Sequence, residues 1–203
     1  MISALLLLTA LVQLACVALL WTRTTRPARV WLLGVVGLGV AYDSAIIGLG
    51  AVLGEGALLE TISLGRFIGH ALLTPVLVLW AADRVAAGQR LRWSAVALTA
   101  ILIAWGVFEL PHLELIPKEY ADTLRYASAE PAPPIVPLVV TVVLLTASIW
   151  LLRRESRWEP LVGTVLLVLA SGTAVAVPPL GNIGEAAMLA GLTAVELPRR
   201  SRK

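Results

Sequence analysis

The sequence predicts an all-α, polytopic integral membrane protein with a bundle of seven transmembrane helices, and three observations carry that reading. Of 203 residues, 59% are apolar and only 14% charged, with a mean hydropathy of +0.88, far from the composition of a water-soluble domain. The apolar residues fall into blocks of roughly 18–25, the length that crosses about 30 Å of hydrocarbon. Between the blocks, arginine-rich and acidic connections alternate, the pattern of a chain that crosses repeatedly. The longest polar connection, about residues 112–131, is too short to fold alone, so residues 1–203 read as one domain.

The first span runs from Ile2 to Trp21, and Arg23, Arg26 and Arg29 follow it. Positive charge after the run, together with Gln13 ahead of Leu14-Ala15-Cys16, speaks for a retained helix rather than a cleaved signal or a lipidated cysteine. Cys16 is the single cysteine, which excludes an intramolecular disulfide and a thiolate metal cluster. The second span, about Val30 to Leu53, carries Gly34, Gly37, Ala41, Ala45 and Gly48. Small residues at such spacing allow close helix contact, so a central position is expected. Tyr42 and Asp43 lie in it.

An acidic connection with Glu55 and Glu60 leads to the third span, about Ile62 to Ala82, closed by Asp83, Arg84, Arg90 and Arg92. Its first turns hold Arg66 and His70, four residues apart and so on one helix face. The fourth span, about Trp93 to Leu110, ends in Glu109-Leu-Pro-His112. The polar connection beyond it, with Glu114, Lys118, Glu119, Asp122, Arg125 and Glu130, reads as solvated loop. Pro131, Pro133, Pro134 and Pro137 lead into the fifth span, which ends at Leu152 before Arg153, Arg154 and Arg157. Pro160 opens the sixth span at a favourable first-turn position; the seventh covers about Leu180 to Leu197.

The connections after spans one, three and five, and the tail Arg199-Arg-Ser-Arg-Lys203, are basic, whereas those after spans two and four are acidic. The positive-inside rule then sets the N-terminus outside and the C-terminus in the cytoplasm of a multi-pass cell-membrane protein. Trp21, Trp31, Trp80, Trp93, Trp150 and Trp158 fall at the expected inner ends, as an interfacial aromatic belt would. Glu196 is expected at that inner surface, paired with the tail. The arginines serve orientation, so the net charge of +3 is no signal for nucleic acid.

On this topology Asp43, Arg66, His70, Glu109, His112, Asn182 and Glu185 all lie at one level, towards the extracytoplasmic face, while the inner half is expected to be almost free of polar groups. Buried polar residues in lipid are costly and mark functional sites. Leu64-Gly-Arg-Phe-Ile-Gly-His70 also echoes Leu180-Gly-Asn-Ile-Gly-Glu185 with one residue deleted, hinting at a 3+1+3 triplet repeat.

Several chemistries follow from this set. His70 and His112, with Asp43, Glu109 and Glu185 as carboxylates for acid–base work, suit a zinc or iron centre. Tyr42, Arg66 and Asn182 are the candidate groups for holding a lipid-like substrate; Arg66 suits a phosphate or carboxylate or, alternatively, a structural ion pair with Asp43 that neutralises two buried charges. Seven-helix, metal-dependent lipid hydrolases of the ceramidase-like kind carry paired histidines on the last helix, which this chain lacks. Two histidines also suit one b-type haem, although His112 beside Pro111 is a poor axial ligand. The triplet organisation resembles that of small SWEET-type sugar transporters, without their Pro-Gln motif, which keeps transport or ligand sensing open. A non-catalytic subunit would use the same groups as interhelical hydrogen bonds. A retinal Schiff base is excluded, because the lysines are Lys118 and Lys203, both expected outside helices.

Overall fold

The computed structural model describes residues 1–24, 27–130 and 134–198. Arg26, Pro131, Pro133 and the basic tail from Arg199 to Lys203 lie outside the described residues. The chain forms an all-helical bundle: α1 (Ile2–Arg23), α2 (Pro27–Leu53), α3 (Ala57–Leu73), α4 (Val76–Arg84), α5 (Gln89–Glu109), α6 (Ile135–Glu155), α7 (Glu159–Thr173) and α8 (Pro179–Glu196). A 3-10 turn at Leu110–His112 follows α5. Five helices are long and apolar enough to cross a membrane by length and composition: α1, α2, α5, α6 and the span Ala57–Arg84 that combines α3 and α4. The α7 helix is apolar but shorter.

The expected third span is divided rather than continuous. Pro75 has no N–H to return to Ala71, so the helical ladder breaks there and α4 restarts at Val76. Thr99 on α5 donates its hydroxyl to the Pro75 carbonyl at 3.3 Å, occupying an acceptor at the break. His70 therefore sits in the last turn before a helix interruption.

The α4 helix packs on α2, α5 and α6, and α3 packs on α2 and α5. The α5 and α6 helices meet only marginally, and α8 closes the ring against α7, α1 and α2. The α2 helix touches α1, α3, α4 and α8, the central position its small residues foretold. Close approach is clearest between α7 and α8. A Cβ on Gly163 would lie 2.6 Å from the Ala187 carbonyl oxygen, and one on Gly191 would strike the Glu159 carbonyl. Outside, the surface is apolar: Leu8, Leu11, Ile101, Phe108, Leu138, Val142 and Leu169 all stand exposed. Inside, Gln13, Asp43, Ser44, Ser63, Thr164 and Asn182 are buried. Apolar outside and partly polar inside is the arrangement a hydrocarbon solvent favours.

The polar connection after α5 is not a loop. Leu115–Tyr120 (β1) and Thr123–Ser128 (β2) form an antiparallel hairpin, with Ile116 opposite Ala127 and Lys118 opposite Arg125. Tyr126 buries against Ile46 and Leu59 and docks the hairpin on α2 and α3. Gly50 permits that contact, since any Cβ there would collide with the Leu124 carbonyl.

At the end opposite the hairpin, the expected scarcity of polar groups is corrected. Buried Arg29 of α2 grips Glu196 of α8 through two bonds of 2.7 Å and reaches Asp83 of α4 at 3.0 Å. Arg84 holds Glu155 of α6 through two bonds of 2.6 and 2.7 Å. Residues taken for loop charges thus clamp four helices, because charges near a helix end are rewarded for turning inward when a bidentate partner waits there. Glu196 is engaged by Arg29 within the bundle, and its expected pairing with the tail lies outside the described residues. Trp80 is also reassigned: it is fully buried and donates to Glu196 at 3.1 Å, whereas Trp31, Trp93 and Trp158 remain exposed.

Replacing Glu196 by Ala leaves a buried guanidinium short of its bidentate partner. It should lower stability by about 3 kcal/mol, and Arg29→Met combined with Glu196→Leu should recover part of that loss. Thermal unfolding in detergent, followed by circular dichroism, reads both.

Candidate functional site

The hairpin end of the bundle holds a buried polar cluster built on Asp43 of α2. The Asp43 carboxylate is 4% exposed and surrounded by helices, where a lone charge would be prohibitive. Arg66 of α3 donates through Nε to Oδ1 at 2.5 Å, and Asn182 of α8 donates through Nδ2 to Oδ2 at 2.5 Å. Ser44 accepts a second, longer contact from Asn182 at 3.3 Å. Arg66 also donates to the Tyr126 carbonyl at 3.4 Å, which ties the hairpin to the cluster.

One turn after Arg66, His70 lies on the same face. Its Nε2 stands 3.7 Å from Asp43 Oδ1 and 3.9 Å from Glu185 Oε1 of α8. Its Nδ1 lies 3.4 Å from the Thr74 hydroxyl, a partner the i,i+4 spacing supplies. Glu185 Oε2 is buried without a hydrogen-bond partner among the described residues. Among the described residues, Asp43, His70 and Glu185 form a group in which one ligand atom from each lies within 4.8 Å of the others.

His70 and Glu185 face a cavity of about 1000 Å³ that runs between the helices towards the hairpin end. Apolar side chains from α2, α4, α6 and α8, including Val40, Leu77, Leu144 and Met188, form its depth. Phe67, Phe108, Glu109 and His112 also line it, together with Glu114 and Glu130.

Of the residues singled out in the sequence, the fold brings together Asp43, Arg66, His70, Asn182 and Glu185. It does not bring Glu109 and His112 into that cluster. Both are exposed along the cavity: Glu109 accepts from Trp105 at 2.8 Å, and His112 Nδ1 lies 3.1 Å from the Phe108 carbonyl with its ring in a tilted contact with that of Phe108. A shared depth along the bundle therefore did not mean a shared site, and the paired-histidine centre of the sequence reading is replaced by one histidine with two carboxylates. Tyr42 is partly exposed and donates to the Ile62 carbonyl at 2.7 Å. Arg66 and Asn182 are occupied by Asp43 and are not part of the cavity wall. Sequence reasoning missed the wall itself, although Phe67 and Phe108 each sit beside a flagged residue. It also missed Thr74, which the spacing from His70 could have revealed.

The fold and this cluster together define a class: a helical bundle with membrane-length apolar helices and a buried Asp–His–Glu group that could hold a metal ion. Compared with known protein families the chain matches none, and it matches no curated protein either.

Removing the Arg66 guanidinium with Arg66→Met should destabilise the protein by about 3–5 kcal/mol, the cost of stranding a buried carboxylate. Adding Asp43→Asn should return part of that, because an amide needs no counter-charge. Unfolding midpoints of the two variants provide the comparison.

Proposed function

We propose that this protein is a multi-pass cell-membrane protein that binds a divalent metal at Asp43, His70 and Glu185 and an amphiphilic substrate in the adjoining cavity. The observation that carries the metal is the spacing of the ligand atoms. At 3.7 and 3.9 Å, His70 Nε2 is too far from either carboxylate for a hydrogen bond. Zinc or iron with ligands at about 2.0–2.2 Å holds neighbouring donors roughly 3.3–3.6 Å apart, so a small contraction around an ion would satisfy all three. The unpartnered Glu185 oxygen gains a role, and Asp43 keeps lone pairs free beside those given to Arg66 and Asn182. Such outer partners are what orient a ligating carboxylate.

An ion so held, with positions open towards the cavity, would polarise a bound water and support hydrolysis of an ester or amide in an amphiphile. Haem is disfavoured, since His112 lies apart from His70's group. A lipid-like substrate is supported by the apolar depth of the cavity and by α5 and α6, which meet only marginally beside it. A triplet repeat finds support in a single contact, His70 facing Glu185. Transport is the weaker reading, because the Arg29–Glu196 and Arg84–Glu155 ion pairs tie the helices together at the end opposite the cavity mouth.

Purified protein should carry about one equivalent of zinc or iron by elemental analysis, and Glu185→Gln and His70→Ala should each lose most of it. Metal-free wild-type preparations that cannot be reloaded would remove the centre. The proposed orientation puts the hairpin outside and the residues between α4 and α5 in the cytoplasm. In intact cells, a membrane-impermeant maleimide should therefore label Glu119→Cys and spare Arg90→Cys, with buried Cys16 silent.

A further inference from the structure

The proposed cavity has a charge character that its site residues alone do not reveal. Its wall includes the carboxylates of Glu109, Glu114, Glu130 and Glu185, and among the described residues that line it there is no lysine or arginine. Arg66, which the sequence offers as an anion holder, is turned away to Asp43 and the Tyr126 carbonyl. Lys118 reaches the rim only to donate to the Ser128 carbonyl at 2.9 Å. An anionic headgroup entering here would meet these carboxylates, and the basic side chains among the described lining residues are the imidazoles of His70 and His112.

Two aromatic rings line the same cavity. Phe67 of α3 has the Arg66 guanidinium over its ring at 5.9 Å from the centroid, whereas Phe108 of α5 is largely exposed, meets His112 in a tilted contact at 5.4 Å and adjoins Glu109. Aromatic faces combined with carboxylates are the recognition chemistry of ammonium groups, including quaternary ones that cannot donate hydrogen bonds. The carboxylates of the mouth do not gather into a metal-holding group, the only such group among the described residues being Asp43, His70 and Glu185. Beyond the rings the lining turns aliphatic at Val40, Leu77, Val140, Leu144 and Met188. That depth fits a hydrocarbon tail.

We infer that the cavity selects an amphiphile with a cationic ammonium headgroup, seated against Phe108 and the carboxylates of Glu109, Glu114 and Glu130. The inference rests on the cavity being the ligand site of the proposed function but not on the metal. Glu109, Glu114 and Glu130 attract the headgroup electrostatically and exclude phosphate or carboxylate heads by repulsion, and Phe108 supplies the contact that a purely acidic mouth would lack.

Calorimetric titration of the protein in lipid nanodiscs, with partition into empty discs subtracted, tests it with three probes of one chain length: octyltrimethylammonium, octyl phosphate and octyl glucoside. The ammonium probe should bind roughly tenfold more tightly than the other two. The triple variant Glu109→Gln, Glu114→Gln, Glu130→Gln, all at exposed positions, should erase that preference, and Phe108→Leu should weaken the ammonium probe alone. Equal or tighter binding of octyl phosphate, absence of binding by the ammonium probe, or a preference unchanged in the triple variant overturns the inference. Metal content measured on the same samples reports separately on the other reading. Protein without metal that still prefers ammonium keeps this inference and loses the centre, and metal-loaded protein without the preference does the reverse.

Discussion

The ion pair between Asp43 and Arg66 is the constraint from which the hairpin end of the bundle follows. A carboxylate enclosed by helices at 4% exposure is tolerable only if a counter-charge and further donors reach it. Arg66 and Asn182 supply these from two different helices, so α2, α3 and α8 must meet at this level. Once they do, His70 has no freedom to be elsewhere. It lies one turn from Arg66 on the same face, and its ring enters the gap between Asp43 and Glu185. Arg66 carries the constraint outward as well, because its bond to the Tyr126 carbonyl joins the hairpin to the same cluster.

The opposite end obeys the same physics with different residues. The α2 and α8 helices, already joined through Asp43 and Asn182, are joined again through Arg29 and Glu196. Polar bonds hold this pair at both ends, with apolar contacts such as Gly37 against Val17 and Leu189 between them. The α7 helix lies on α8 by backbone approach at Gly163 and Gly191. Where helices share an apolar surrounding, burial of apolar area does little to choose partners, and small residues and hydrogen bonds decide. The cavity lies where neither device operates strongly, beside the marginal contact of α5 with α6.

Much of the site could be read before the fold was known, and the limits are instructive. Arg66 and His70 were legible because helix geometry alone stacks residues four apart. Asn182 and Glu185 were legible because a turn count into an opposing helix gives their level. The same count included Glu109 and His112, which lie at the end of α5 across the cavity, where the His112 ring meets Phe108 in a tilted contact and is not part of the His70 group. Depth is one coordinate, and azimuth needs neighbours. Arg29 and Glu196 are 167 residues apart, and each looked like an ordinary charge at a helix end. The hairpin was hidden by its polarity: its docking residues are few, and Pro117 within β1 reads as a break although an edge strand accepts it.

By itself, the sequence determined that this is a helical bundle with apolar spans of membrane length, that α2 is central, and that Asp43, Arg66, His70, Asn182 and Glu185 lie at one end. Each of these is a local property, set by run length, residue size and helix periodicity. Only the tertiary structure decided which polar groups are partners. It joined Asp43 to Arg66 and Asn182, gave His70 two carboxylates in place of a second histidine, and turned Arg66 from a prospective anion holder into the counter-charge of a buried acid. Those outcomes depend on the order of helices around the bundle, and hydropathy carries no information about it, because every helix in an apolar surrounding is apolar on whichever side faces out.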